Sequence, residues 1–232
     1  MTGGQRLALT DHAGLILAAG FSSRMGTLKP LLRLGEYTLL EHAIRSMLLA
    51  GVHDVFVVLG HRATEIEASL TCRAQVEIVY NAAYASGMFS SVQAGIRAIL
   101  AKENPYQAFF MLPGDHPFIA PELPGELAVA AEQSGKGIVL PRYQGKNGHP
   151  CRIAMRYAQE ILTSDFEQGM RSLYQQHEED ILQMPTVCAD ILFDLDRPEE
   201  YQQALARLAK LQRADGAWLR LYSDVGRKND EW

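Results

Sequence analysis

Short apolar runs alternate with amphipathic stretches along most of the chain. Gly14 to Ala19 is a continuous apolar run that stops at Gly20. Such runs suit strands buried on both faces of a parallel sheet. Thr38 to Ala50 carries Leu39, Leu40, Ala43, Ile44, Met47 and Leu48 at helical spacing. Glu41 stands three residues after Thr38, as in a capping box, and Gly51 follows the end. The alternation then repeats. Strands are predicted over 54–59, 76–80, 108–112, 138–141 and 150–155, with helices over 64–70, 90–100, 121–133 and 168–176. Residues 187–195 are predicted to end in a strand, and a closing helix runs over 198–211 with Pro198 in its first turn.

This order predicts an α/β fold: three layers, α/β/α and Rossmann-like, around a mostly parallel mixed sheet. Residues 1–13 read as a polar leader, 14–208 as one domain and 209–232 as a tail or peripheral helix. The chain has 232 residues, enough for one well-buried domain. Hydrophobic residues make up 47% and charged residues 21%, ordinary values for a folded protein. A net charge of -5 argues against a surface built for nucleic acid, which needs a strong basic excess. It leaves room for one locally basic site. Cys72, Cys151 and Cys188 are odd in number and widely spaced, which supports neither a disulfide framework nor a zinc site. No apolar run approaches the roughly 20 residues of a membrane span, and Asp11 and His12 break the approach to the first apolar run where a signal peptide would need continuity. A reducing cytoplasm fits best.

In parallel α/β sheets ligands bind beyond the carboxyl ends of the strands, and three such ends carry chemistry. The first reads Leu17-Ala-Ala-Gly-Phe-Ser-Ser-Arg-Met-Gly26, then Lys29-Pro30. It is neither the dinucleotide fingerprint nor the P-loop. Ala18, Ala19 and Gly20 still let a ligand approach the backbone, whose successive N–H groups can point at an anion. Arg24 can grip phosphate oxygens bidentately, and Lys29 adds a point charge. A surface turn with two solvated cations is the bland alternative. At the second end, Pro113-Gly-Asp-His-Pro117 follows an apolar strand and holds Asp115 at the ligand edge. Magnesium often keeps only one or two protein carboxylates beside phosphates and water, which suits Asp115. An Asx-turn or helix cap is the alternative. The third is Asp194-Leu-Asp-Arg-Pro-Glu-Glu-Tyr201, where Asp196 is equally placed to cap the helix near Pro198.

The first string resembles the signature L-A-[AG]-G-x-S-x-R-M-G-x-x-K of nucleotidyltransferases with a glycosyltransferase-A-like fold. It matches at Leu17, Ala18, Ala19, Gly20, Ser22, Arg24, Met25, Gly26 and Lys29. The resemblance implies that this loop wraps a nucleoside triphosphate, with Arg24 and Lys29 on its phosphates. Gly114-Asp115-His116-Pro117 resembles the family's G-D-x-P, and Asp194 to Tyr201 its D-[IL]-D-T-P-E-D-[LY], with Arg197 in place of the usual threonine. Metal ligation by Asp115 and Asp196 is thereby implied, with Mg²⁺ or Mn²⁺ as the ion. Gly87-Met-Phe-Ser-Ser-Val-Gln-Ala-Gly95 and Asn147-Gly-His-Pro150 resemble segments of the molybdenum cofactor cytidylyltransferase branch.

That resemblance spans residues 14–205. It puts Ser90 and Ser91 at a helix start, contacting nucleotide or capping the helix, and His149 near the acceptor. His116 faces substrate or solvent. Ala19 is the form seen in cytidylyl-transferring members, where guanylyl-transferring ones carry glycine. The implied activity is Mg-dependent transfer of a nucleotide from CTP, or another NTP, to molybdopterin or its molybdenum-bearing form, serving the apoenzyme of a molybdenum hydroxylase. Two rivals stay open: transfer to a sugar phosphate or other phosphorylated small molecule, and a non-catalytic accessory protein that binds the cofactor.

Overall fold

The computed structural model describes residues 9–21, 28–103, 105–165 and 168–214. The chain opens on β1 (His12–Ala18), passes a 3-10 turn at Lys29–Leu31, and forms a hairpin of β2 (Arg33–Leu34) and β3 (Tyr37–Thr38). Then follow α1 (Leu39–Leu49), β4 (Asp54–Leu59), α2 (Ala63–Ser69), β5 (Glu77–Tyr80), α3 (Met88–Leu100) and β6 (Ala108–Pro113). The second half holds α4 (Leu123–Ser134), β7 (Ile138–Tyr143), β8 (Lys146–Asn147), β9 (Cys151–Ala154), α5 (Ala158–Thr163), α6 (Met170–Gln176), β10 (Ile181–Pro185) and α7 (Pro198–Ala214).

The main sheet runs β10-β7-β9-β6-β1-β4-β5, with β8 paired to β7. β1 is parallel to both β4 and β6, and β10 is parallel to β7. β9 alone in the row runs against its two neighbours, β6 and β7. All seven residues of β1 are buried, as its unbroken apolar run requires. Their side chains divide between two cores. Ile16 and Ala18 join Leu40, Ile44 and Met47 of α1, Ile66 of α2 and Leu127 of α4 on one face. Leu15 and Leu17 join Val92, Ile96 and Ile99 of α3, Ile161 of α5 and Leu173 of α6 on the other. The three-layer α/β/α architecture follows, as the alternation predicts.

A third, smaller core lies apart from these two. Leu34, Leu39, Phe118, Leu195, Ala204 and Leu208 bury one another where α7 crosses the β2–β3 hairpin.

Several boundaries differ from the sequence reading. β1 starts at His12, inside the expected leader, and Leu9 before it is buried. No strand forms over 187–195. Residues 189–192 make a 3-10 turn instead, and the edge strand is β10, at 181–185. The apolar side chains of 187–195 serve different neighbours: Ile191 enters the first core and Leu195 the third. A strand would have presented them to one face. The β2–β3 hairpin and α5 were not anticipated. α7 continues to Ala214, into the expected tail. The capping box of α1 is as read: Glu41 N–H donates to Thr38 Oγ1 at 3.3 Å, and Thr38 N–H donates to Glu41 Oε2 at 2.8 Å. The three cysteines are free thiols.

Candidate functional site

β1 and β6 leave the sheet side by side, with Leu17 opposite Pro113. Gly114 extends the ladder by donating its N–H to the Leu17 carbonyl at 2.9 Å. Asp115 therefore emerges next to the end of β1. A cavity of about 420 Å³ opens there, walled by Leu17, Ala18, Ala19 and Gly20 on one side and by Gly114 and Asp115 on another. Its position beyond the carboxyl ends of parallel strands is where such sheets bind ligands.

At the cavity floor one ammonium meets two carboxylates. Lys29 Nζ donates to Asp115 Oδ2 at 2.6 Å and to Asp196 Oδ1 at 2.7 Å. The Lys29 side chain is 12% exposed, against 24% for Asp115 and 42% for Asp196. Desolvation alone would make the lysine easier to deprotonate. The two carboxylates outweigh it and raise its pKa, so the ammonium stays charged. Burial likewise pushes the Asp115 carboxyl up, but the hydrogen bond and charge of His116, and then the Lys29 ion pair, hold it well below the usual carboxylate range.

His116 is 5% exposed and sits 3.0 Å from Asp115 Oδ1 through its Nδ1. Asp115 thus has a partner on each oxygen. His116 lies beneath the cavity wall rather than facing solvent, one of the two roles read for it from the sequence. Its ring meets that of His149 edge to face at 5.2 Å. His149 reaches this edge because β9 runs backwards, so the turn that enters β9 lies beside the exit of β6. That turn is pressed against residues 189–192. The His149 N–H donates to the Ile191 carbonyl at 2.9 Å, and a Cβ on Gly148 would stand 2.4 Å from the same oxygen, which leaves room only for glycine.

Ser91 lines the cavity, whereas Ser90 does not. Neither caps a helix. α3 begins at Met88, and its cap is Gly87, whose φ of 104° suits glycine alone. Ser90 Oγ instead lies 2.9 Å from the Ala83 carbonyl and 2.8 Å from that of Gly87, bracing the 83–87 turn. The buried Asn81 organises both serines. Its Nδ2 donates to Ser90 Oγ at 2.9 Å and to Ser91 Oγ at 3.0 Å, while its Oδ1 accepts from the Ala83 N–H at 2.9 Å. The sequence reading missed Asn81, although an asparagine just after a strand and before a glycine-bearing turn is a signal of its own. It also missed Asp194. Desolvation and the like charges of Asp115 and Asp196 raise the Asp194 carboxyl, while His116 and Lys29 pull it down, so it senses the same cluster.

Leu17, Ala18, Ala19, Gly20, Lys29, Ser91, Asp115 and Asp196 are thus brought to one cavity. Ser22 and Arg24 lie outside the described residues. Among the described residues no group of three or more His, Cys, Asp or Glu side chains is arranged to hold a metal by itself. Asp115 and Asp196 are hard oxygen donors already converging on one cation, which fits an ion that takes few protein ligands and completes its shell from phosphates and water.

Residues 14–181 match the family described as MobA-like NTP transferase domain. The molybdenum cofactor cytidylyltransferase of Escherichia coli (strain K12) is 24% identical over 197 residues, covering 85% of this chain and 97% of that one. The nicotine blue oxidoreductase of Paenarthrobacter nicotinovorans is 36% identical over 149 residues, covering 60% of this chain and 69% of that one. Among solved structures, a nucleotidyl transferase from Methanothermobacter thermautotroptrophicus superposes with a TM-score of 0.73 at 22% identity, covering 86% of this chain and 98% of that one. No helix among the described residues is long and apolar enough to cross a membrane.

Proposed function

The chain belongs to the MobA-like NTP transferase family, and on that premise we propose that this nucleotidyltransferase moves CMP from CTP to the terminal phosphate of the molybdenum cofactor and releases pyrophosphate. The observation that carries the reading is the Lys29 ammonium held between Asp115 and Asp196 at the floor of a cavity at the ends of β1 and β6. Two carboxylates beside a polyphosphate repel it unless a divalent cation stands between them. Mg²⁺, or Mn²⁺, held by Asp115 and Asp196 would neutralise charge on the α-phosphate and on the leaving pyrophosphate.

The protein's own groups do the rest. Leu17, Ala18, Ala19 and Gly20, with Ser22 beyond them, offer backbone close to the nucleotide. Ser91, steadied by Asn81, faces the same cavity, and Ser90 holds the turn beside it. Arg24 and Lys29 bind phosphate oxygens, so Lys29 exchanges a carboxylate for the triphosphate on binding. His116 keeps Asp115 ionised and oriented. His149, at the neighbouring turn, meets the acceptor. A phosphate monoester is already largely dianionic at neutral pH, its second pKa being about 6, so the attacking oxygen needs no general base. Catalysis then rests on positioning and charge neutralisation.

Ala19, the cofactor-branch segments and the relative from Escherichia coli support CTP and the molybdenum cofactor. On this reading the product serves the maturation of a molybdenum hydroxylase in the cytoplasm. The 36% identity to a protein named for an oxidoreductase supports a second reading, a non-catalytic accessory protein that binds the cofactor for a molybdenum hydroxylase without transferring a nucleotide. Pyrophosphate release is measured with each NTP, with and without the cofactor, and with sugar phosphates as acceptors. Release from CTP only when the cofactor is present is the expected result. Release with a sugar phosphate instead reassigns the acceptor, and none under any condition favours the second reading.

A further inference from the structure

The family match ends at residue 181, yet the contacts that fix the site's geometry continue well past it. Asp196 lies in a loop with only Arg197 between it and α7. Glu200, in the first turn of that helix, folds back on the loop. Its Oε2 accepts from the Asp196 N–H at 2.6 Å and from the Arg197 N–H at 2.8 Å. A charged acceptor on two successive N–H groups fixes the peptide that carries the Asp196 side chain. The next residue ties α7 to the lysine side of the site: Tyr201 OH donates to the Arg33 carbonyl at 2.5 Å, just past the Lys29 turn.

The third core has the same logic. Each of the three charged groups has an apolar anchor close by in sequence and buried in that core: Leu34 after Lys29, Phe118 after Asp115, and Leu195 before Asp196. Ala204 and Leu208 of α7 fill the space between these anchors. Arg207 closes the far end, forking onto both Asp190 oxygens and lying 4.3 Å from the centre of the Phe118 ring. The three segments that carry Lys29, Asp115 and Asp196, far apart in sequence, are thus referenced to one another through α7.

We infer that α7 is a clasp for the site and that Glu200 is a positioning residue, setting Asp196 against Lys29 and Asp115 for divalent-metal binding. The inference rests on the metal role proposed above for Asp196. Glu200 touches neither substrate nor metal, and acts through the peptide it holds. Outer residues that orient ligands typically matter by about 10–100-fold in metal affinity or activity.

The test measures Mn²⁺ binding to the CTP-loaded full-length chain by the electron paramagnetic resonance signal of free Mn²⁺, alongside kcat and KM for CTP. Glu200→Ala is expected to weaken Mn²⁺ binding about tenfold and lower kcat, with KM for CTP changed far less. Glu200→Gln keeps an oxygen acceptor at the same reach and is expected to restore most of both. Glu200→Asp keeps the charge and the helix but withdraws the acceptor by one methylene. It therefore serves as the variant that folds if Glu200→Ala does not, and it is expected to fall between Glu200→Ala and Glu200→Gln. Asp196→Ala is run in parallel. Mn²⁺ affinity retained in both Glu200→Ala and Glu200→Asp, while Asp196→Ala loses it, overturns the clasp alone. Affinity retained in Asp196→Ala as well overturns the metal reading beneath it.

Discussion

The two edges of the main sheet each carry a cluster of an aspartate, a histidine and a basic side chain. At the carboxyl edge Asp115 bonds His116 and Lys29. At the amino edge Asp11 bonds His12, and Arg152 completes that trio. Arg152 Nε donates to His12 Nε2 at 3.0 Å, so Nε2 carries no proton. The proton sits on Nδ1 and is donated to Asp11 Oδ1 at 2.6 Å. The His12 ring stacks on Phe110 at 5.0 Å, and both His12 and Arg152 are buried. At the amino edge His12 and Arg152 are packed against core, whereas the carboxyl-edge trio borders a cavity and has a second carboxylate, Asp196, facing it. Residue type alone does not separate structure from function here. Position relative to strand direction, and space for a ligand, do.

The comparison breaks first at Asp115. Asp115→Asn keeps the shape and is expected to lower kcat/KM per folded molecule by about 10²–10³-fold, as removal of a transition-state electrostatic group does. A fully active Asp115→Asn chain would remove the carboxyl edge from catalysis. Lys29→Ala comes next. Losing one charged hydrogen-bonding group from the ligand is worth about 10–100-fold, read as a rise in KM for the triphosphate and a fall in turnover. Unchanged kinetics would leave Lys29 a purely structural counterion.

Arg152→Met probes the other edge. It strands the His12 acceptor inside the protein and is expected to lose about 1–3 kcal/mol in urea unfolding, with turnover per folded molecule untouched. A loss of turnover at full stability would erase the distinction between the edges.

The smallest effect is on pH. Burial, then the Arg152 charge, lower the His12 pKa against the pull of Asp11, and burial lowers that of His42 against its bond to the Leu34 carbonyl. Below about pH 6.5 the unfolded chain takes up protons that the folded chain refuses, so stability falls with pH by at most about 1.4 kcal/mol per unit for each histidine. Asp115 acts in the same direction but in a lower pH window. Its pKa is depressed, so its stabilisation is intact above the ordinary carboxylate range and is lost progressively as pH falls from that range to its lower folded value. Urea midpoints taken from pH 8 to pH 4 for the parent chain and for His12→Gln test this, with a flatter profile between pH 6.5 and 5 expected for the variant.

Most of the architecture was legible because its signals are local. The unbroken run of β1, the Thr38–Glu41 box and the helical spacing of α1 and α3 each state their own geometry. What escaped depends on partners. β10 is an edge strand whose Ile-Leu-Gln-Met-Pro has no clean alternation, and it follows three acidic residues, Glu178 to Asp180. Residues 187–195 looked like a strand because they are apolar, yet they supply anchors to separate cores. The cavity residues were legible from motifs, as Lys29, Asp115 and Asp196 show by their convergence. The support was not. Asn81, His116's grip on Asp115 and Glu200's hold on the Asp196 loop are contacts that only the folded chain creates.

The reversed strand β9 has a consequence for how such a sheet can change over time. A parallel strand sends only its exit to the ligand edge. A reversed one sends its entrance there, so the 143–150 connection joins the loops of β1 and β6 without lengthening the sheet. The edge is thereby shared between two stretches of chain far apart in sequence, which meet where the rings of His116 and His149 touch. Insertions in one need not disturb the register of the other.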